Sequence, residues 1–204
     1  MEGWNLRDAI VWTVFSKTHS VSVALFVMAS VLSARAQEKS IDVQRSTITV
    51  HVGKAGVFSV AGHEHTVDAP IEAGTLNDSG VDARVEFRVA ASKMLVRAEG
   101  DDKKNQAEIQ QTMQEKVLES AKYPEISFRS SSVEKGGDNA WRVKGNLMLH
   151  GVTKPVEVNA KEEGGAYTGN ITIKQTDFGI QPINVGGVVK VKNELQIAFR
   201  IVAN

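Results

Sequence analysis

The chain has 204 residues, with 24 Lys and Arg against 24 Asp and Glu, and no cysteine. The even charge excludes a strongly basic nucleic-acid binder and a polybasic membrane-surface protein. The missing thiols exclude cysteine nucleophiles, thiolate metal sites and a disulfide scaffold, which a domain of this length can do without.

Residues 21–32 are apolar apart from Ser22 and Ser30, with Lys17 before them and Ala34-Arg35-Ala36 after them. A charged segment, a short apolar run and a small-x-small site spell a secretory signal peptide over residues 1–36. The run is shorter than the roughly 20 apolar residues that span a bilayer; an uncleaved anchor is the alternative. Met1–Ser16 is long for such a leader and carries Glu2 and Asp8, as a start codon set too far upstream would give. Cleavage after Ala36 leaves a single domain, residues 37–204, with 21 basic and 22 acidic residues. The expected location is periplasmic or secreted, with no membrane span after cleavage.

Ser46–Val52 alternates Ile48 and Val50 with Thr47, Thr49 and His51 and reads as the first long strand. Gly53–Gly56 reads as a turn or bulge, Val57–Val60 as a short strand leading to Ala61-Gly62-His63-Glu64-His65, and Ile71–Leu76 as a third. In Val81–Ala90, Val81, Ala83, Val85, Phe87 and Val89 share one face against Asp82, Arg84, Glu86 and Arg88, so one face is buried and the other wet. Lys93–Arg97 continues the strand pattern past a kink. Residues 101–120 change period: Ile109, Met113 and Val117 recur every four residues, with Leu118 beside them, behind Asp101 and Asp102 at a helix N-terminus. The polar face mixes both signs, which favours a helix lying across a barrel over a membrane-surface helix.

Tyr123-Pro124 ends that helix, and Ile126 and Phe128 alternate with Glu125, Ser127 and Arg129. Lys135–Asn139 is a turn whose glycines supply positive φ. Trp141, Val143, Gly145, Leu147 and Leu149 alternate again, and after His150-Gly151 a further strand covers Thr153–Ala160. Gly164-Gly165 turns into Tyr167–Lys174, Asp177-Phe178-Gly179-Ile180 and Pro182 break the pattern, Gly186-Gly187 turns again, and Val189, Val191, Leu195, Ile197, Phe199 and Ile201 share one parity in the last strand, with Asn193 the polar exception. Roughly ten strands and one helix, with glycine turns at short spacing, point to a closed barrel or a sandwich.

Three motifs occur in a set order: Tyr123-Pro124-x-Ile126-x-Phe128, then Gly145-x-Leu147-x-Leu149-His150-Gly151-Val152-Thr153 with Pro155-Val156, then Asp177-Phe178-Gly179-Ile180. With the helix before them and the signal peptide in front, the chain resembles the YceI-like family from about Ile41 to Ile201. The resemblance implies a mainly β, lipocalin-like antiparallel β-barrel with one amphipathic helix. It also implies an exported protein that holds a polyisoprenoid, an isoprenoid quinone or similar polyprenyl lipid, in the barrel interior and does no enzymatic chemistry. The chain departs from the family where Ala61–His65 stands in place of an aromatic-rich segment.

The residues alone leave the interior open between two states, filled by side chains or hollow around a ligand. Inward positions are mostly Val, Ile and Leu, with Phe87, Phe128, Trp141 and Phe199 as the large groups expected to line an apolar ligand. Each buried methylene contributes about 0.8 kcal/mol, so a long tail needs no polar contact to bind. A filled barrel would act through its outer surface instead, and a second copy of the chain is a candidate partner.

His63 and His65 would share one side of a strand and are candidates for ligand headgroup contacts. With His51 or His150 they would make a metal site, although an H-x-H pair without a third ligand falls short of the usual number. His150 is expected to fix the turn between two strands. No Gly-x-Ser-x-Gly elbow, His-Glu-x-x-His helix or phosphate loop occurs, and Asp177-Phe178-Gly179 lacks the rest of the kinase set.

Overall fold

The computed structural model describes residues 38–55, 64–98, 105–185 and 189–204. Twelve strands occur among them: β1 (Lys39–Ser40), β2 (Thr47–Ala55), β3 (His65–Asp68), β4 (Ile71–Asn77), β5 (Arg84–Ala90), β6 (Leu95–Val96), β7 (Glu125–Lys135), β8 (Ala140–Leu149), β9 (Val152–Glu163), β10 (Ala166–Lys174), β11 (Asn184–Val185) and β12 (Val189–Val202). All belong to one antiparallel sheet in the order β1-β4-β5-β7-β8-β9-β10-β12-β2-β3-β6, with β11 also on β12. The sheet curls back on itself, so that the segment after β1 reaches β12. Ile41 bridges Ala203; the Asp42 amide donates to the Val202 carbonyl at 2.8 Å and the Ile41 amide to Gly74 at 2.9 Å, so one short segment joins β12 to β4. The join between β12 and β4 hides strand edges that would otherwise recruit other chains, while β2, β3 and β6 continue beyond it.

Strict alternation puts one face of each strand inside. Trp141, Gly145 and Leu149 of β8 are buried while Arg142, Lys144 and Asn146 are exposed. The buried set includes Ile48, Val50, Val67, Leu76, Val89, Phe128, Ile173 and Ile201. Outside, exposed pairs such as Arg142–Glu157 at 3.5 Å link β8 to β9; at the surface such pairs contribute about 0–1 kcal/mol.

Three sequence expectations change. Val81 does not belong to the inner face of β5: it sits in a 3-10 turn, Gly80–Asp82, and is fully exposed. Asn77 ties that turn, its Nδ2 donating to the Asp82 carbonyl at 3.1 Å, and the strand begins only at Arg84. The kink expected before Lys93–Arg97 is a 3-10 turn, Ala91–Lys93, and the strand past it shrinks to the two residues of β6, which pairs with β3. In the β7–β8 turn the left-handed conformations fall on Asp138 (φ 35°) and Asn139 (φ 60°) rather than on the glycines; Asp and Asn tolerate that region because their short polar side chains bond locally. The bulge expected at Gly53 is present: β2 runs through to Ala55, but its register with β12 slips there, Val52 pairing with Leu195 and Lys54 with Val191. Val57–Val60, His63, Asp101, Asp102 and Gly186-Gly187 lie outside the described residues.

The helix is present as α1 (Gln106–Thr112), continued by a π-helical turn over Met113–Val117. Ile109, Met113 and Val117 pack on the core as the spacing implies. A second stripe does something the apolar pattern did not reveal. Gln110 Oε1 accepts from the Val96 amide at 2.8 Å, and its Nε2 donates to the Met94 carbonyl at 2.8 Å. Gln106 Nε2 donates to the Val96 carbonyl at 2.7 Å, and Gln114 Nε2 to the Ala91 carbonyl at 3.0 Å. Three glutamines at four-residue spacing thus satisfy the free backbone edge of β6 and the turn before it.

Candidate functional site

The ring encloses a cavity of about 210 Å³, more than ten times the roughly 10–15 Å³ that admits one water. The barrel interior is therefore hollow, not filled. Its wall is apolar along most of its length: Ile48 and Val50 of β2, Val89 of β5, Leu147 and Leu149 of β8, Ile171 and Ile173 of β10, and Ile197 and Ile201 of β12. Val117 and Leu118, at the end of the helix, close one end beside Leu149 and Met94.

All four aromatic residues expected to line the interior do so: Phe87, Phe128, Trp141 and Phe199. Phe87 and Phe128 lie opposite each other on β5 and β7, their rings stacked at 5.6 Å. Three of these side chains are held against the wall by strand glycines. A Cβ on Gly169 would lie 2.6 Å from Phe199 Cζ, and one on Gly74 would lie 2.8 Å from Phe87 Cβ; one on Gly145 would run into the Phe128 ring. Each of the three would also meet a cross-strand carbonyl oxygen at 2.6 Å, that of Asn159, Glu86 and Arg129 respectively. Glycine is needed here for close approach, not for φ; the Phe199 and Phe128 rings occupy space a side chain would have filled, as Phe87 Cβ and Ile41 Cδ1 do at Gly74.

Asn77, Asp78, Arg84 and Tyr167 gather on the wall at the end away from the helix, with Gln175 at the opposite end of β10. Tyr167 donates its hydroxyl proton to Asp78 Oδ2 at 2.7 Å, and Lys39 Nζ reaches the same oxygen at 2.7 Å. The lysine hydrogen bond holds the Asp78 carboxyl below its ordinary range. Burial first, and the bond to Asp78 second, push the Tyr167 phenol up, so it stays protonated. Trp141 meets Tyr167 edge-on, with ring centres 6.0 Å apart at 73°.

At the opposite end the three sequence motifs meet. His150 Nε2 lies 2.8 Å from Glu119 Oε2, just beyond the π-helical turn. The Tyr123 ring sits 4.1 Å from the His150 ring, and a Cβ on Gly151 would be 2.8 Å from Tyr123 Cε1. Gly179, left-handed at φ 74°, lies beneath, where a Cβ would stand 3.9 Å from His150 Nδ1. Glu119 (φ 43°) and His150 (φ 52°) are themselves left-handed, a strain that their mutual bond and the surrounding packing sustain. His150 thus fixes its turn and also ties the helix end to the rim beside Leu118. Glu119 carried no sequence signal, because a lone glutamate after a helix has no period or motif.

His51 and His65 do not converge. Val52 pairs with His65 and His51 with Thr66, so His65 shares the inward parity of Val50 and Val67, whereas His51 points outward. The two cannot share a metal across the sheet. His65 is half-buried and is not part of the cavity wall; His63 lies outside the described residues. Among the described residues no group of three His, Asp or Glu is placed to hold a metal ion, and no helix is long and apolar enough to cross a membrane.

Comparison with known proteins gives the architecture its relatives. A protein of Pseudomonas savastanoi pv. phaseolicola described as a UPF0312 protein is 40% identical over 74 residues, covering 31% of this chain. The match spans 38% of that relative's length. Among solved structures, Burkholderia cenocepacia BcnA superposes with a TM-score of 0.56 at 19% identity, over 80% of this chain and 99% of that one. A polyisoprenoid-binding domain from Saccharophagus degradans, implicated in plant cell wall breakdown, gives 0.54 at 15% identity, over 80% and 95%. The YceI-like domain model matches residues 40–203, which takes in the ring, the helix and all three motifs, and the chain belongs to that family.

Proposed function

We propose that this protein is an exported carrier that holds one isoprenoid-type lipid, an isoprenoid quinone or another polyprenyl lipid, in the barrel cavity and does no chemistry on it. The observation that carries the reading is the hollow, apolar interior. A hydrocarbon tail placed there gains about 4 kcal/mol per five-carbon unit from transfer alone, before the entropic costs of binding. Membership of the family, and the likeness to a domain described as polyisoprenoid-binding, support the same ligand class. Export is supported by the charged, apolar and small-residue pattern over residues 17–36. A metal-binding role has no comparable support, since His51 and His65 lie on opposite faces.

Native mass spectrometry of the protein purified from the periplasm or medium, followed by solvent extraction, tests both parts. The expected result is a chain beginning at Gln37 that carries one apolar species of several hundred daltons. A bare polypeptide that takes up no polyprenyl lipid on reconstitution would overturn the carrier reading. An intact Met1 terminus in the cytoplasm would overturn export.

A further inference from the structure

β9 and β10 pair from Glu163 with Ala166 to Asn159 with Asn170, and there the pairing stops. Both strands go on. β9 runs back to Val152 on β8, and β10 runs forward to Lys174 on β12. The cavity wall therefore has a seam, flanked by the lining residues Val158 of β9 and Ile171 and Ile173 of β10. Among the described residues no backbone hydrogen bond crosses it.

The 3-10 turn Gln175–Phe178 covers the seam, lying against β9, β10 and β12. Phe178 is 1% exposed and Ile180 3%, so the seam is shut as it stands. Its fastening is one-sided. On the β12 side, Gln175 Nε2 donates to the Lys192 carbonyl at 2.7 Å. The Thr176 amide donates to Asn193 Oδ1 at 3.0 Å, and Asn193 Nδ2 returns a bond to Thr176 Oγ1 at 2.9 Å. On the β9 side there is packing alone: a Cβ on Gly179 would stand 4.0 Å from Val152 Cγ2. Among the described residues no hydrogen bond joins residues 175–180 to residues 152–158. Two features of β9 fit a stretch that stays unpaired. Pro155 has no amide hydrogen to offer a second neighbour. Lys154 lies opposite the lining residue Leu147 and so has inward parity, yet it is exposed. An inner-face lysine that stays in water marks a place where the inner face reaches the surface.

We propose that the seam between β9 and β10 is the portal through which the ligand enters and leaves the cavity. The turn Gln175–Phe178 keeps its bonds to β12 and parts from β9. Opening there separates apolar packing and breaks no ladder, whereas the two ends of the barrel are bonded shut. Tyr167, Asp78 and Lys39 tie one end; the glutamine stripe and the Glu119–His150 contact hold the helix over the other. This inference rests on the lipid-carrier reading and adds the route to it.

The chain has no cysteine, so two introduced ones are its only thiols. Glu157→Cys and Thr172→Cys place them on the outer face either side of the seam, just past the last pair. A short bifunctional thiol reagent that a reductant cleaves then bridges it. Lys161→Cys with Thr168→Cys bridges a pair inside the ladder and is the control. The probe is a quinone with a hexaprenyl tail. From Gln37 onward the chain has one tryptophan, Trp141, in the cavity wall, and its quenching reports uptake. Release is read on transfer of the quinone to excess phosphatidylcholine vesicles. The seam bridge should slow uptake and release together by about tenfold or more and leave Kd within about twofold. Reductant should restore both rates, and the control bridge should leave them unchanged. Phe178→Leu thins the cover and should quicken both; if it fails to fold, the bridge decides alone. Rates indifferent to the seam bridge would overturn the proposal. Faster exchange in Glu119→Ala, with the bridge still without effect, would move the route to the helix end. In either case the carrier reading survives, whereas a wild type that takes up no quinone removes both.

Discussion

Gly145→Ala is the sharpest test of how the cavity is kept open. Gly145 has no left-handed φ, so backbone preference favours the change: glycine in a strand interior is less stable than alanine by about 0.5–1 kcal/mol. Packing opposes it. The new methyl carbon would lie 2.6 Å from the Arg129 carbonyl oxygen and 2.6 Å from Phe128 Cε2. The oxygen belongs to the β7–β8 ladder and yields only if the sheet shifts; the ring yields only by swinging into the lumen. Overpacking of this kind costs about 1–3 kcal/mol, so packing wins and the net loss is about 1–2 kcal/mol. For a domain of this size that lowers Tm by about 2–8 °C. Thermal unfolding by circular dichroism reads it, with Gly137→Ala as the control. Gly137 has nothing within 4 Å of its ideal Cβ and no left-handed φ, so its substitution should stay within about 0.5 kcal/mol of the wild type. Adding Phe128→Leu to Gly145→Ala removes the ring from the collision and should couple favourably by at least about 0.5 kcal/mol. A Gly145→Ala protein as stable as the wild type, with undiminished uptake of lipid, would refute the argument.

His150→Ala loses the bond to Glu119 and leaves a left-handed alanine, and urea unfolding should show a loss of about 2–3 kcal/mol; His150→Gly should recover roughly 1 kcal/mol of it by relieving the strain. Gln110→Ala unpairs the Val96 amide and the Met94 carbonyl and should destabilise by about 1–3 kcal/mol, with hydrogen exchange quickening first at Val96. Asp78 is held below its unfolded value near 3.8, chiefly by the Lys39 hydrogen bond, so it contributes stability above that value and loses it as pH falls through the folded one; Asp78→Asn should flatten the acid limb of the stability curve below about pH 4. Tyr167 has the opposite sign. Its raised value keeps the folded phenol protonated, so its contribution is complete below the ordinary value of 10.0 and falls as pH climbs beyond it. Tyr167→Phe should remove that part of the alkaline limb.

The fold was legible where the two-residue period was unbroken. In β8, five inward positions from Trp141 to Leu149 alternate with Arg142, Lys144 and Asn146, and the burial pattern follows the letters. Legibility failed where alternation continued past the end of a strand. Val81 keeps the parity of Val85 and Val89, but parity carries no information about the Asn77 hydrogen bond that turns the chain away. The cavity walls were legible for the same reason as the strands, and all four aromatic positions follow from parity alone. The hollow itself was not, because openness depends on pairs across strands. Gly169 faces Phe199 and Gly74 faces Phe87 through a register that only the fold supplies. The glutamine stripe of the helix escaped for a related reason: glutamines on a polar face look solvated until an unpaired strand edge is set beside them.

Those pairs bear on whether the cavity is incidental. An unfilled apolar space of this size costs on the order of 5 kcal/mol, at about 24 cal/mol per Å³, a large share of the 5–15 kcal/mol by which domains are stable. A flaw in packing would be local and would be cured by one larger side chain. Here crowded glycines recur on β4, β8 and β10: each has no room for a Cβ and a carbonyl at 2.6 Å, with the Phe128 ring over Gly145, the Phe199 ring over Gly169, and Phe87 Cβ and Ile41 Cδ1 beside Gly74. Three repetitions on separate strands make openness a property of the wall. A ligand that fills the lumen restores the missing contacts, and at a hundred times its Kd it adds about 2.7 kcal/mol. The same wall that weakens the empty barrel therefore makes its stability depend on what it holds.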